Sequence, residues 1–129
     1  MTTPAGFATV TPYFTASDAE GFIAFLVEGF GGRELGRTFH GNRLANAQVL
    51  LGNATVMVGQ APPGEVASKG HYLLYVEDAD RAMERAVAAG AEKMMDVDDR
   101  PYGDRQGGVF DGEGNSWWIS QRLTDKPYY

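Results

Sequence analysis

Apolar and polar positions follow two rhythms along this chain, and the rhythms recur in the same order in each half. Thr11-Pro-Tyr-Phe-Thr-Ala-Ser-Asp18-Ala19 reads as a strand running into an acidic helix start. His71-Tyr-Leu-Leu-Tyr-Val-Glu-Asp78-Ala79 repeats it about 60 residues later. Asp18 and Asp78 suit the N-cap role, where a short carboxylate accepts from free backbone N–H groups. Helical spacing follows in both halves. Phe22, Ile23, Phe25, Leu26 and Phe30 form one apolar face, and Ala82, Met83, Ala86, Val87 and Ala89 form the other. Glycines close both helices, between Gly29 and Gly32 and at Gly90.

Three strand-like runs then complete each half. The first set is Glu34 to Phe39, Leu44 to Leu51 and Ala54 to Gly59, with a Gly52-Asn53 turn between the last two. The second set is Ala91 to Asp96, Gly107 to Phe110 and Ser116 to Gln121, with Asp111 to Asn115 as a turn. The order strand, helix, three strands, stated twice, predicts an α+β fold of two βαβββ modules, 7–60 and 71–123. They are joined by 61–70, whose Pro62-Pro63-Gly64 is the clearest break in the chain. A half of about 60 residues is marginal alone. The expectation is therefore a single domain over 1–129, with one curved mixed sheet around a cavity and both helices on its outer face.

Composition narrows the function classes. The 129 residues are 43% hydrophobic and 22% charged, ordinary for a globular chain, and the net charge is −6. An acidic balance disfavours a nucleic-acid partner and suits a neutral or cationic ligand. No stretch matches a membrane span, and the first residues lack the pattern of an export signal, so a cytoplasmic location is expected. The absence of cysteine excludes disulfides, thiolate nucleophiles and cysteine-ligated metals.

Thr11-Pro12-Tyr13 near the start, Tyr102-Gly103-Asp104-Arg105-Gln106-Gly107 later, and the Asp111 to Trp117 run give the repeat a specific likeness. The chain resembles the vicinal oxygen chelate superfamily (glyoxalases, bleomycin-resistance proteins and dioxygenases), in particular its bacterial glyoxalase-like branch. That resemblance implies paired βαβββ modules, a ligand cavity and a homodimer. It also implies a divalent metal in the enzymatic members, at positions that fall here on Thr11, Val56, His71 and Trp118. Only His71 is an ordinary metal ligand, whereas divalent sites commonly need three or four donor groups. The strand that often carries a His and a Glu in this branch reads Asn46-Ala47-Gln48 here, two amides in place of two ionisable groups.

Strand alternation then proposes a ligand-binding set: Thr11, Tyr13, Asn46, Gln48, Val56, His71, Tyr75, Phe110 and Trp118, with Tyr102 and Arg105 at its mouth. No catalytic residue is assigned, and neither a metal nor another cofactor is expected. The set is mostly apolar and aromatic with a few polar groups, the usual make-up of a small-molecule site. The leading expectation is a metal-free small-molecule-binding protein that sequesters a planar or cationic compound, the indole of Trp118 offering its face. The alternative is a divalent-metal enzyme of the glyoxalase or dioxygenase type.

Overall fold

The computed structural model describes residues 2–129, which divide into two compact units, one ending at Lys69 and the other beginning at Gly70. The first contains β1 (Tyr13–Ala16), α1 (Ala19–Phe30), β2 (Arg33–His40), β3 (Arg43–Leu51) and β4 (Ala54–Gln60). The second contains β5 (His71–Tyr75), α2 (Ala79–Ala88), β6 (Glu92–Asp99), β7 (Asp104–Phe110) and β8 (Ser116–Arg122). Each unit hydrogen-bonds its four strands into one mixed sheet. The orders are β1-β4-β3-β2 and β5-β8-β7-β6, the same topology twice. The first and last strands of each unit pair in parallel and the others antiparallel. The α+β class and the repeated strand–helix–three-strand order are those expected from the sequence.

The repeat extends to the polar devices that start the helices. Asp18 accepts from Gly21 N at 3.0 Å and Asp78 from Arg81 N at 3.1 Å, as expected of N-caps. The last strand of each unit also returns an amide to the same place. Gln60 Oε1 accepts from Ala19 N at 2.8 Å, and Gln121 Oε1 accepts from Ala79 N at 3.0 Å. These bonds satisfy N–H groups that no helical turn precedes. An acid in each helix's first turn holds an arginine from the sheet: Glu20 binds Arg37 at 2.6 Å and Asp80 binds Arg105 at 2.9 Å. At its C-terminus α1 closes on Gly31 in the left-handed region, φ 72, with Gly31 N and Gly32 N bonded to Val27 O and Leu26 O.

Burial follows the predicted periodicity with two departures. Phe22, Ile23, Phe25 and Leu26 are buried against Phe14, Ala47, Val49 and their neighbours, and the Phe14 and Phe22 rings lie 5.0 Å apart. In α2 only Ala79, Met83 and Ala86 are buried, while Val87 faces outward. The strands expected to end at Asp96 and to resume at Gly107 both extend further. β6 runs to Asp99 and β7 starts at Asp104, leaving a tight four-residue turn. The Arg100 side chain explains the difference. Its Nη2 donates to Asp96 O at 2.6 Å and to Gln106 O at 2.9 Å, tying both strand ends where a run of like charges would otherwise favour a loop. Residues of the expected linker also belong to the first unit, because Ser68 exchanges hydrogen bonds with Thr15.

Helix α2 sits so close to its sheet that Gly107 leaves no space for a side chain. A Cβ there would lie 2.8 Å from Val97 Cγ2, 2.9 Å from Met83 Cε and 2.9 Å from the Met95 carbonyl. The carbonyl belongs to the paired strand and cannot swing aside, so Gly107→Ala is expected to destabilise the protein by about 1–3 kcal/mol in chemical denaturation. Gly112→Ala, where a Cβ meets nothing within 4 Å, is the control expected to change little.

Candidate functional site

The second unit contains a cavity of about 570 Å³ lined by Leu73, Tyr75, Tyr102, Asp104, Gln106, Trp118, Tyr128 and Tyr129. Strand register explains how these side chains meet. β5 and β8 place Leu73 beside Trp118 and Tyr75 beside Ser120, while β8 and β7 place Ser120 beside Gln106 and Arg122 beside Asp104. Residues paired across a ladder share a face. The face opposite α2 therefore collects an aromatic wall over a polar floor.

The floor is one connected hydrogen-bond chain around Asp104, whose relative exposure is 0%. Its Oδ2 accepts from Ser120 Oγ at 2.6 Å and from the Tyr128 hydroxyl at 2.7 Å, and its Oδ1 accepts from Arg122 Nη1 at 2.7 Å. Gln106 Nε2 donates to Ser120 Oγ at 3.1 Å, and the Tyr102 hydroxyl donates to Gln106 Oε1. Tyr75 and Tyr128 meet hydroxyl to hydroxyl at 2.9 Å. Since Tyr128 gives its proton to a carboxylate that can only accept, Tyr75 is the donor in that pair. The Arg122 guanidinium also stacks 4.1 Å from the Tyr128 ring centroid and donates to Lys126 O at 2.6 Å, so the segment after β8 is held at the cavity.

Burial alone pushes the Asp104 carboxyl up. The hydrogen bonds from Ser120, Tyr128 and Arg122, with the charge of Arg122, outweigh it and hold the group below its ordinary 3.8. The same contacts run in reverse on the partners. The bond to Asp104 raises Arg122, and the bonds to Asp104 and then to Tyr75 push Tyr128 well above the usual phenol range. Carboxylate, guanidinium and neutral phenol are thus the stable forms of this cluster at neutral pH.

The expected site residues distribute unevenly over this geometry. Tyr75, Tyr102 and Trp118 line the cavity. His71 shares their face, its ring 5.9 Å from that of Trp118, and so does Phe110, which pairs with Ser116 and is 37% exposed. Arg105 does not. One residue beyond Asp104, it turns to the helix side, where Nε and Nη2 grip Asp80 at 2.9 and 3.1 Å and Nη1 binds Asp99 at 2.9 Å. In the first unit Tyr13 and Gln48 share a face through Met57, and Asn46 lies on it two residues along β3. The Tyr13 hydroxyl donates to Ala45 O at 3.1 Å. Val56 is a correction. The two-residue turn at Gly52-Asn53 pairs Leu51 with Ala54 and hence Val49 with Val56, which puts Val56, 4% exposed, on the helix side with Val58 and Phe14. Thr11 precedes β1, and its hydroxyl donates to Ala8 O at 3.2 Å.

Sequence reasoning missed Asp104, Gln106, Ser120, Arg122 and Tyr128. The first four were within reach of period-two counting: Asp104 and Gln106 stand at even spacing before Phe110, and Ser120 and Arg122 at even spacing after Trp118. Tyr128 lies outside any strand, and no pattern marks it.

A divalent metal, as the resemblance implies, does not fit these donors. Thr11 offers one neutral hydroxyl that is already bonded to Ala8 O, Val56 lies on the helix side, Trp118 carries no metal-binding atom, and His71 is a single imidazole. Among the described residues no three His, Asp or Glu side chains are grouped to share an ion. Nor is any helix long and apolar enough to cross a membrane.

The Asp104 pairing sets a pH dependence. A carboxyl held lower in the folded than in the unfolded chain contributes stability above its unfolded value near 3.8 and loses it as pH falls through the folded value. Thermal unfolding should therefore show a wild-type loss of stability below about pH 4 that is smaller in Asp104→Asn. Asp104→Ala, which strands Arg122 and the buried Ser120 hydroxyl, should cost about 2–4 kcal/mol at neutral pH.

Comparison with known proteins agrees with this architecture. The chain is 30% identical over 128 residues to the Uncharacterized protein Mb0911c of Mycobacterium bovis, covering 90% of this chain and 84% of that one. The crystal structure of TioX from Micromonospora sp. ML1 superposes with a TM-score of 0.73 at 25% identity, covering 93% of this chain and all of that one. TnmS3, an antibiotic binding protein from Streptomyces sp. CB03234, shares the fold with a TM-score of 0.68 at 22% identity, covering 89% and 97% of the two chains. The sequence profile of the Glyoxalase/Bleomycin resistance protein/Dioxygenase superfamily matches residues 7–119, and the chain belongs to that superfamily.

Proposed function

We propose that this protein binds a planar small molecule in the Trp118 cavity without a metal and without transforming it. The observation that carries the reading is the cavity itself: aromatic walls from Tyr75, Tyr102 and Trp118 over a floor whose polar atoms are already satisfied. Such a surface orients a flat ligand by stacking and by a few hydrogen bonds. It supplies no base and nucleophile pair, since Asp104 is held ionised by Arg122 and spends both oxygens on neighbours. The fold shared with an antibiotic binding protein supports a sequestering role. A homodimer in the cytoplasm is the setting that the family and the composition favour.

Titration of the protein with a panel of planar aromatic compounds, followed by tryptophan fluorescence and confirmed by calorimetry, tests the reading. Saturable one-site binding is expected, weakened about tenfold or more by Trp118→Ala, as for a central aromatic anchor. Arg105→Ala should leave affinity unchanged, since that side chain faces α2. Stoichiometric divalent metal in the purified protein, with turnover that depends on it, would overturn the proposal.

A further inference from the structure

The residue at the heart of the cavity is covered by the chain's own tyrosine. Tyr128 belongs to no strand or helix, is 47% exposed, lines the cavity, and still places its hydroxyl 2.7 Å from a carboxylate of 0% exposure. Its ring rests on the Arg122 guanidinium and its oxygen also takes the Tyr75 hydroxyl proton. We infer that Tyr128 occupies a subsite for a hydroxyaryl group, and that a ligand carrying a phenolic hydroxyl displaces the 124–129 segment, beyond the Leu123 N bond to Gly103 O, to take its place.

Three observations define that ligand class. Asp104 Oδ2 keeps its bond from Ser120 when Tyr128 leaves and regains one open acceptor position toward the cavity, which calls for a hydrogen-bond donor. The Arg122 face calls for an aromatic ring attached to that donor. Tyr75 calls for an oxygen that accepts as well as donates, which a phenol provides and an ammonium does not. Tyr128 itself satisfies all three. It is held by contacts to a single side-chain cluster and by the Arg122 bond to Lys126 O, not by strand pairing, so its release opens no ladder.

The inference rests on the cavity being a ligand site, and the test separates the two. Calorimetric titrations of the wild type, Tyr128→Ala and Tyr128→Phe would use 2-naphthol and 2-methoxynaphthalene, the same ring with and without the O–H donor. Removing the internal competitor should tighten 2-naphthol binding about tenfold in Tyr128→Ala, the scale of one charge-assisted hydrogen bond. Tyr128→Phe, which keeps the ring on Arg122, should gain less. The methoxy compound should bind more weakly than 2-naphthol to Tyr128→Ala. Equal 2-naphthol affinity in wild type and Tyr128→Ala, or equal affinity of the two compounds for Tyr128→Ala, would overturn the inference and leave small-molecule binding standing. Failure of both compounds to bind all three proteins, with near-ultraviolet circular dichroism showing them folded, would overturn the inference and count against the cavity as a ligand site.

Discussion

A buried carboxylate is the constraint on which the second unit is organised. Taking Asp104 out of water costs several kcal/mol unless charge and hydrogen bonds replace the lost solvent. Here three donors do so, from two positions of β8 and one beyond it: Ser120, Arg122 and Tyr128. One requirement thus fixes the β7–β8 register on its polar side, orients Arg122 and brings the segment after β8 back to the sheet. Gln106 and Tyr102 extend the same chain to the far side of the cavity. Among the described residues no buried side-chain polar atom is left without a partner, so the floor is closed as a network.

The neighbouring residues show how sharply alternation divides the labour. Asp104 and Arg105 are adjacent in sequence, each ionised and each paired, yet they act on opposite faces of β7. Arg105 clamps α2 and β6 through Asp80 and Asp99, while Asp104 builds the cavity floor. The same separation holds for the two indoles. Trp117 turns to the helix side, donates to Asp111 Oδ2 at 2.8 Å and packs on Tyr72, whereas Trp118 turns to the cavity. Asp111 also accepts from Asn115, whose own Oδ1 accepts from Gly70 N, so the Asp111 to Trp117 motif fixes the β7–β8 turn and the start of β5. A motif that carries the family likeness is here a scaffold, and residues beside it line the cavity.

Much of the fold was legible in the sequence, because both modules state it through the same local signals: acidic caps, an apolar helix face and tight turns. The face assignment was legible only where an independent landmark pinned the parity. Trp118, Tyr75 and Tyr13 follow simple alternation from their strand starts. Val56 was misplaced because family position and turn geometry disagree by one residue, and the Gly52-Asn53 turn decides the pairing. Arg105 was misplaced because charge at a cavity mouth looked like ligand chemistry, when its partners Asp80 and Asp99 lie far or weakly marked in sequence. Tyr128 was invisible for a plainer reason: a side chain outside regular structure reaches its place through tertiary contacts alone.

The central claim is that a small molecule enters the Trp118 face of the second unit. The most direct measurement follows the two indole N–H signals of isotope-labelled protein by nuclear magnetic resonance during titration with a bound planar compound. The structure predicts a large, saturable shift of the Trp118 indole signal while that of Trp117, bonded to Asp111 on the other face, stays nearly fixed. Saturable binding that moves Trp117 and leaves Trp118 in place would contradict the account.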